Sequence, residues 1–228
     1  MFAQWRSIEA QQRALLQKQH PQVIKTYLET PLPTRKTPID EVEFLSLDFE
    51  TTGLDACKEA ILSIGYTHLR ADRVILKGSG HQIVRIDTPL CEKSVTIHQI
   101  THDRMEAGAA LQDALHELLQ QLPGKVLLVH CAAIEQGFLH AAIKKYYGCK
   151  LPILWVDTLE LERRRLDKGF TPVQVNRLRL ANLRNDYHLP RYGGHNALED
   201  AIATAELFLA LMAQRNGQVL LRDVLCKS

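Results

Sequence analysis

The sequence has few cysteines and none at the spacing that a small metal or redox centre needs. Five cysteines are scattered over 228 residues without a C-x-x-C pair, so neither a zinc ribbon nor a thioredoxin-like motif is present. Their odd number and scatter do not suggest a disulfide framework either, and we expect a reducing compartment.

Long apolar runs and a strong net charge are also missing. No run approaches the roughly 20 apolar residues of a membrane span, and the first residues, M-F-A-Q-W-R-S-I-E-A-Q-Q-R, lack the apolar core of a signal peptide. We therefore expect a cytoplasmic protein that makes no use of a membrane. The net charge of +2 does not commit the chain to an acidic partner, although local clusters can still attract one.

What is present divides at residue 43. Residues 4–25 are rich in Gln, Arg and Lys around scattered apolar residues, a pattern that favours one or two amphipathic helices. The segment P-L-P-T-R-K-T-P, residues 31–38, is typical of a linker. We predict an N-terminal helical extension and linker over residues 1–43, which could serve a protein partner, and a single domain over residues 44–228.

The second region reads first as strands and then as alternating helices and strands. Four strand patterns follow one another: F-L-S-L-D-F-E, A-I-L-S-I-G-Y-T-H-L, R-V-I-L-K-G and H-Q-I-V-R-I. They predict three or four antiparallel strands. After Gly108, leucines at helical spacing alternate with the short strands V-L-L-V-H and I-L-W-V-D. The order predicts an α/β domain with a mixed sheet flanked by helices.

Two carboxylates interrupt the first apolar strand. In L-D-F-E-T-T-G-L, Asp48 and Glu50 are two residues apart. Side chains at positions i and i+2 of a strand point to the same face, so these two acids should converge. Taken alone, the pair could also be a strand end that reaches solvent.

Further acids and a histidine occur in two later segments. In H-C-A-A-I-E-Q-G-F-L, Glu135 shares a helical face with Phe138 and Leu139, and a carboxylate on an apolar face needs a cation or several donors to offset its burial. In Y-G-G-H-N-A-L-E-D, a capping-box-like helix start leaves His195 on a glycine-rich loop close to Asp200. A histidine beside a fixed carboxylate suits a proton acceptor.

These segments carry a resemblance to a known family. D-F-E-T-T-G-L, H-C-A-A-I-E-Q-G-F-L and H-N-A-L-E-D-A resemble the three exonuclease motifs of the DEDD superfamily, in the branch with a histidine in the third motif (DEDDh). That branch includes the proofreading epsilon subunit of bacterial DNA polymerase III, ribonuclease T and oligoribonuclease. The resemblance runs from about Phe44 to about Met212 and includes I-H-Q-I-T, residues 97–101. Three motifs in order are far more specific than one.

The resemblance implies a ribonuclease-H-like fold with a mixed five-stranded sheet. It also implies hydrolysis of phosphodiester bonds at the 3′ ends of nucleic acids, with release of 5′-mononucleotides and a role in DNA repair. Two divalent cations, Mg²⁺ with Mn²⁺ able to substitute, would activate the attacking water and stabilise the leaving oxygen. The expected substrates are single-stranded 3′ ends of DNA or RNA, with DNA favoured.

The resemblance also implies roles for individual residues. Asp48 would bridge both ions, Glu50 and Asp200 would ligate one of them, and Glu135 would help through a water or from the surrounding shell. His195 would take the proton from the attacking water. The terminal nucleotide would be bound by a short segment that follows the first motif: Thr51, Thr52, Gly53 and Leu54.

One position departs from the family pattern. Glu135 stands where the family has aspartate, and its side chain is one methylene longer. Catalytic geometry tolerates only about 0.5 Å of displacement, so a catalytically weakened module that binds nucleic acid or a polymerase stays open as an alternative to a DNA exonuclease. An RNA-directed 3′ exonuclease is the second alternative, because the sequence does not identify the one or two contacts that sense a 2′-hydroxyl.

Overall fold

A computed structural model describes residues 8–70, 72–86, 102–167 and 174–226. The strands are β1 (Glu43–Thr51), β2 (Ile61–Arg70), β3 (Arg73–Ile83), β4 (Val126–Val129) and β5 (Trp155–Asp157). The helices are α1 (Ile8–Leu16), α2 (Gln22–Glu29), α3 (His102–Glu106), α4 (Leu111–Gln121), α5 (Ala132–Tyr147), α6 (Thr158–Leu166), α7 (Leu180–Asp186) and α8 (Ala197–Ala213).

The strands form one mixed sheet in the order β3-β2-β1-β4-β5. β1 pairs antiparallel with β2 and parallel with β4, β2 pairs antiparallel with β3, and β4 pairs parallel with β5. The predicted mixed five-stranded α/β architecture is therefore confirmed. Within the described part of the chain, no helix is long and apolar enough to cross a membrane.

The third and fourth strand patterns are one strand, so the antiparallel strands number three. β3 contains the whole of the third pattern, which ends at Gly78 with a φ of 87°, and continues into the fourth as far as Ile83. A side chain on Gly80 would overlap the ring of Tyr66 on the paired strand, so the ring fits there because residue 80 is a glycine. The glycines that look like a turn in the sequence therefore accommodate a register shift inside a continuous strand.

The two faces of β1 have different surroundings. Leu45, Leu47 and Phe49 lie in the apolar core that also contains the buried faces of α2, α4 and α5. Phe44 lies on the opposite face, in a second core with α6, α7 and α8. This alternation is the period of two expected of a central strand, and it directs Asp48 and Glu50 towards the face that α8 covers.

The N-terminal helix α2 contributes to the first core. Its buried residues are Val23, Ile24, Tyr27 and Leu28. The Tyr27 hydroxyl donates a hydrogen bond to the carbonyl of Pro152 at 2.8 Å, far away in the sequence. Burial raises the pKa of Tyr27 above its ordinary value.

The proline-rich segment is fixed to the rest of the fold by its backbone. Ile39 N–H donates to the carbonyl of Val219 at 2.9 Å, and Leu221 N–H donates to the carbonyl of Thr37 at 2.9 Å. This segment therefore pairs with the C-terminal part of the chain, whereas its composition suggests a solvated linker. The division of the chain at residue 43 stays a prediction.

We predict that α2 is needed for the stability of the domain. Ile24 is fully buried, and replacing a buried isoleucine with alanine typically lowers the free energy of unfolding by about 2–5 kcal/mol. Urea denaturation of Ile24→Ala should show a loss in this range, whereas Lys25→Ala, on the exposed side of the same helix, should stay within about 0.5 kcal/mol of the parent. An unchanged midpoint for Ile24→Ala would instead support a separate extension before residue 44.

Candidate active site

β1 presents the first two acids of the site. Asp48 and Glu50 occupy alternate positions of this strand and face the same side, as the sequence predicts. Each offers a carboxylate oxygen to a group in which the three ligand atoms lie within 4.8 Å of one another, the third being an oxygen of Asp200. Three acids from β1 and α8 therefore converge at one point.

α8 reaches this point because it can approach the sheet very closely. Gly65 on β2 is the cross-strand partner of Asp48, and a Cβ atom at Gly65 would lie 2.1 Å from the backbone of Ala197. Ser46, also on β1, donates a buried hydrogen bond to the carbonyl of Ala201 at 2.7 Å. The first turn of α8 is thus held directly against β1 and β2, and Asp200 lies in that turn.

The loop before α8 places His195 next to Asp200. Gly194 and His195 both have left-handed backbone conformations, with φ values of 70° and 60°. This turn directs the His195 N–H at the Asp200 carboxylate, to which it donates at 3.0 Å. Asn196 caps the helix by accepting from the N–H groups of Leu198 and Glu199, which confirms the predicted helix start, and His195 lies outside the helix.

The electrostatics of the group are those of carboxylates held close together and partly buried. Burial raises the pKa of Asp48 well above its usual value, and the charges of Glu135, Asp200 and Glu50 raise it further. Burial and then Glu50 raise the pKa of Asp200, while the hydrogen bond from His195 opposes this rise. Carboxylates this close favour their charged forms only beside positive charge, so the donor set fits hard divalent cations, which prefer oxygen ligands.

Glu135 lies close to these acids but is not one of the group within 4.8 Å. It lies in the first turn of α5, 3% exposed, on the face that also buries Phe138, Leu139 and Ala142, as the sequence predicts. Its Oε2 atom is buried and has no hydrogen-bond partner among the described residues. Burial raises the pKa of Glu135 to about 8, and the charge of Asp157 adds to the rise.

Asp157 is a residue of the site that sequence reasoning missed. This buried carboxylate, at the end of β5, accepts hydrogen bonds from the N–H groups of Cys131 and Ala132 at 3.0 and 2.9 Å. It also caps α6 by accepting from Leu159 N–H at 2.9 Å. One side chain therefore fixes the start of α5, and with it the backbone that carries Glu135. The available signal was an aspartate directly before a threonine where a strand pattern gives way to a helix pattern.

The segment after β1 forms a tight loop at the mouth of the site. The Thr51 hydroxyl donates to the carbonyl of Gly53 at 2.8 Å, and the Thr52 hydroxyl bonds to the Glu59 carboxylate and accepts from Ala60 N–H. Leu54 projects from this loop with 79% of its surface exposed. The structure thus gives the predicted nucleotide-binding residues a defined loop conformation, and their role stays a prediction.

The structure brings the sequence-predicted residues together from three segments of the chain. Asp48, Glu50 and Asp200 meet directly, His195 bonds to Asp200, and Glu135 is near enough for its charge to act on Asp48. The I-H-Q-I-T segment, residues 97–101, lies outside the described residues.

The chain matches the family model of exonucleases (RNase T family) over residues 45–208. It therefore belongs to this exonuclease family, and the matched range contains every residue of the site described above. The family implies divalent metal ions, and the acidic group fits them.

Curated relatives agree with this assignment. The chain is 28% identical over 169 residues to the PolC-type DNA polymerase III of Thermotoga maritima, which covers 74% of this chain and 12% of the relative. It is 24% identical over 165 residues to the 3′-5′ exonuclease DinG of Staphylococcus saprophyticus, with 72% of this chain and 17% of the relative covered. The chain thus spans only a small part of the length of these relatives.

Solved structures share the fold. The nuclease domain of 3′hExo, a DEDDh family member bound to rAMP, superposes with a TM-score of 0.65 at 15% identity, covering 79% of this chain and 96% of that one. E. coli Exonuclease I in complex with a dT13 oligonucleotide superposes with a TM-score of 0.63 at 16% identity, covering 77% of this chain and 42% of that one. The expected ribonuclease-H-like exonuclease fold is confirmed, and the domain is an exonuclease domain.

We predict that the close approach at Gly65 is required for the site. Gly65→Ala places a methyl group against the backbone of Ala197, so α8 must move away from Asp48 and carry Asp200 with it. Overpacking of this kind typically costs about 1–3 kcal/mol of stability. The variant should lose nuclease activity and denature at a lower urea concentration.

Gly137→Ala is the matched control for this substitution. Gly137 lies inside α5, where, of the side chains in the described ranges, an added Cβ would approach only that of Ala56, at 3.4 Å. Alanine is favoured over glycine by roughly 0.5–1 kcal/mol inside a helix, so stability should hold or rise. Full activity in Gly65→Ala would show that α8 does not need this contact.

Proposed function

We propose that this domain removes nucleotides one at a time from 3′ ends and releases 5′-mononucleotides. The observation that carries the proposal is the meeting of Asp48, Glu50 and Asp200 within 4.8 Å, with His195 hydrogen-bonded to one of them. A phosphodiester carries a negative charge of its own, so acids would gather there only to hold cations that offset it.

Two Mg²⁺ ions are the cofactors that best suit these ligands, with Mn²⁺ able to substitute. The carboxylates of Asp48, Glu50 and Asp200 would hold them. Asp48 would be shared by both ions, because the charges of the neighbouring acids act on its carboxylate. When bound, such ions activate a water for attack and stabilise the charge on the leaving oxygen. The buried and mutually repelling carboxylates of the site support this assignment.

His195 is the residue that we assign as general base. Its backbone is fixed by the hydrogen bond to Asp200, while the residue itself is exposed at the mouth of the acidic group. The fixed backbone would hold the imidazole beside the attacking water, and exposure lets it pass the proton on to solvent. A base needs both reach and a route for the proton.

Glu135 would act through a water rather than as a direct ligand. Its carboxylate is outside the group within 4.8 Å, yet after burial its charge has the largest effect on the pKa of Asp48. Its buried Oε2 atom, which has no hydrogen-bond partner among the described residues, is an acceptor that a bound water could satisfy. The longer side chain would thus still bring its charge close to the cations.

DNA is the substrate that we favour over RNA. The relatives named above are a DNA polymerase and the exonuclease DinG, although 3′hExo was solved with rAMP.

A protein partner that binds residues 1–43 is part of the same proposal, because the polymerase relatives are much longer than this chain. Since α2 faces the core, α1 would be the more accessible part of that contact. Co-purification with a polymerase before and after removal of residues 1–17 tests this, and the shortened protein should no longer bind.

The decisive experiment is digestion of a 3′ single-stranded oligodeoxynucleotide by the parent and by Asp48→Ala in the presence of Mg²⁺. The parent should release mononucleotides from the 3′ end, and the variant should be inactive while still folded, because removing a shared ligand removes both cations. Activity in carefully purified Asp48→Ala would contradict the metal mechanism. Binding without cleavage by the parent would support a binding module instead.

Glu135→Gln is the graded comparison in the same assay. It preserves the length of the side chain and removes its charge, so the rate should fall and the Mg²⁺ concentration for half-maximal rate should rise. A variant equal to the parent in both quantities would show that Glu135 takes no part.

We predict that His195→Ala slows catalysis and leaves metal binding intact. A general base typically speeds the chemical step about 10²- to 10⁴-fold, so kcat should decrease by a factor in this range. The Mg²⁺ affinity, measured by calorimetry, should stay close to that of the parent because the imidazole is not a ligand. A collapse of metal affinity would show that the role assigned to His195 is wrong.

A further inference from the structure

A cleft of about 550 Å³ opens beside the acidic group, within the range of about 300–1,000 Å³ typical of ligand sites. Asp200 and His195 line one part of it. The remainder is formed mainly by Arg179, which caps α7, by α7 itself, and by the loop that leads to His195, which includes Arg191 and Tyr192. The cleft therefore continues from the acidic group onto a surface that has no role in the function proposed above.

Tyr192 is held rigidly in this cleft although it is exposed. Its hydroxyl donates to Glu206 at 2.9 Å, and the guanidinium of Arg184 lies 4.6 Å from the centroid of its ring. The ring nevertheless keeps 41% of its surface exposed. An aromatic ring held on one side and open on the other offers a surface for stacking at little cost in conformational entropy.

The support behind Tyr192 is itself firmly fixed. Arg184 is 4% exposed and donates to the carbonyls of Ala203 and Pro190 and to the Glu206 carboxylate, each at 2.7 Å. These bonds connect the loop to α8, the helix that carries Asp200. The position of the Tyr192 ring is therefore tied to the position of the acidic group.

Two further arginines give the cleft unneutralised positive charge. Arg191 donates to the amide oxygen of Asn185 at 3.2 Å, a neutral partner. Arg179 and Arg191 are both exposed, and neither forms an ion pair with an acid in the described part of the chain. Guanidinium groups of this kind suit the phosphates of a strand, which they can contact through two parallel hydrogen bonds.

We propose that this cleft binds the single strand that leads to the 3′ end, with a base stacked on Tyr192 and phosphates against Arg179 and Arg191. The proposal rests on the exonuclease function proposed above and identifies the part of the substrate that lies beyond the terminal nucleotide. Stacking on an exposed ring needs an unpaired base, so the cleft selects single-stranded ends of two or more nucleotides. Stacking is tolerant of sequence because every base has a π face.

The test compares two substrates with Tyr192→Ala and Tyr192→Phe. One substrate is a single-stranded oligo(dT), and the other is the p-nitrophenyl ester of thymidine 5′-monophosphate, which has no second base. In Tyr192→Ala the ratio of kcat/KM for the oligonucleotide to kcat/KM for the ester should fall roughly fivefold to hundredfold, mainly through KM, as expected for the loss of one stacked base. Tyr192→Phe should restore most of that ratio because the ring remains.

Leu76→Ala is the matched control, since Leu76 is an exposed apolar residue on the edge strand β3. Its ratio should equal that of the parent. The proposal is overturned if the ratio of kcat/KM values is unchanged in Tyr192→Ala, or if the ratio is as low in Tyr192→Phe as in Tyr192→Ala. An equal decrease in kcat/KM for both substrates, accompanied by a lower melting temperature, would also overturn it. A parent that cleaves neither substrate would instead contradict the proposed function.

Discussion

The close contact between the start of α8 and the sheet is the constraint on which the site depends. It exists because Gly65 carries no side chain where the backbone of Ala197 passes, and because Ser46 bonds to the carbonyl of Ala201. Without this contact Asp200 could not reach the acids of β1, and His195, whose N–H bonds to Asp200, would move away with it. A glycine opposite Asp48 is therefore as much a part of the active site as the acids, although it has no chemistry of its own.

The acids gathered by this contact oppose the stability of the fold. Asp48 and Asp200 have raised pKa values, in each case first through burial and then through neighbouring carboxylates. The surrounding structure must hold them together against this repulsion, and two apolar cores, one on each face of the sheet, supply the rigidity. Cations that bind only the folded state would return part of that free energy, so stability and catalysis would depend on the same ions.

The sequence predicted the parts of the site that follow a local period. Asp48 and Glu50 share a strand face because side chains alternate, and Glu135 shares a buried helix face because helical positions repeat. The role of Gly65 was not predictable, because its partner, Ala197, is distant in the chain. The same holds for α2, whose apolar stripe indicates a helix but not the surface that it covers, and for β3, where glycines resembling a turn lie within a strand. Local patterns define elements, while contacts between distant segments define where those elements meet.

The anchoring of α5 decides how the departure at Glu135 is accommodated. Because Asp157 accepts from both Cys131 and Ala132, the start of the helix is fixed to β5 and cannot slide to compensate for a longer side chain. The extra methylene must then be absorbed by the side chain itself, within a buried pocket that also contains Phe138 and Leu139. The carboxylate ends close enough to influence Asp48 but outside the group that would hold the cations. A fixed backbone with a longer arm favours contact through a water, whose position can adjust where the helix cannot.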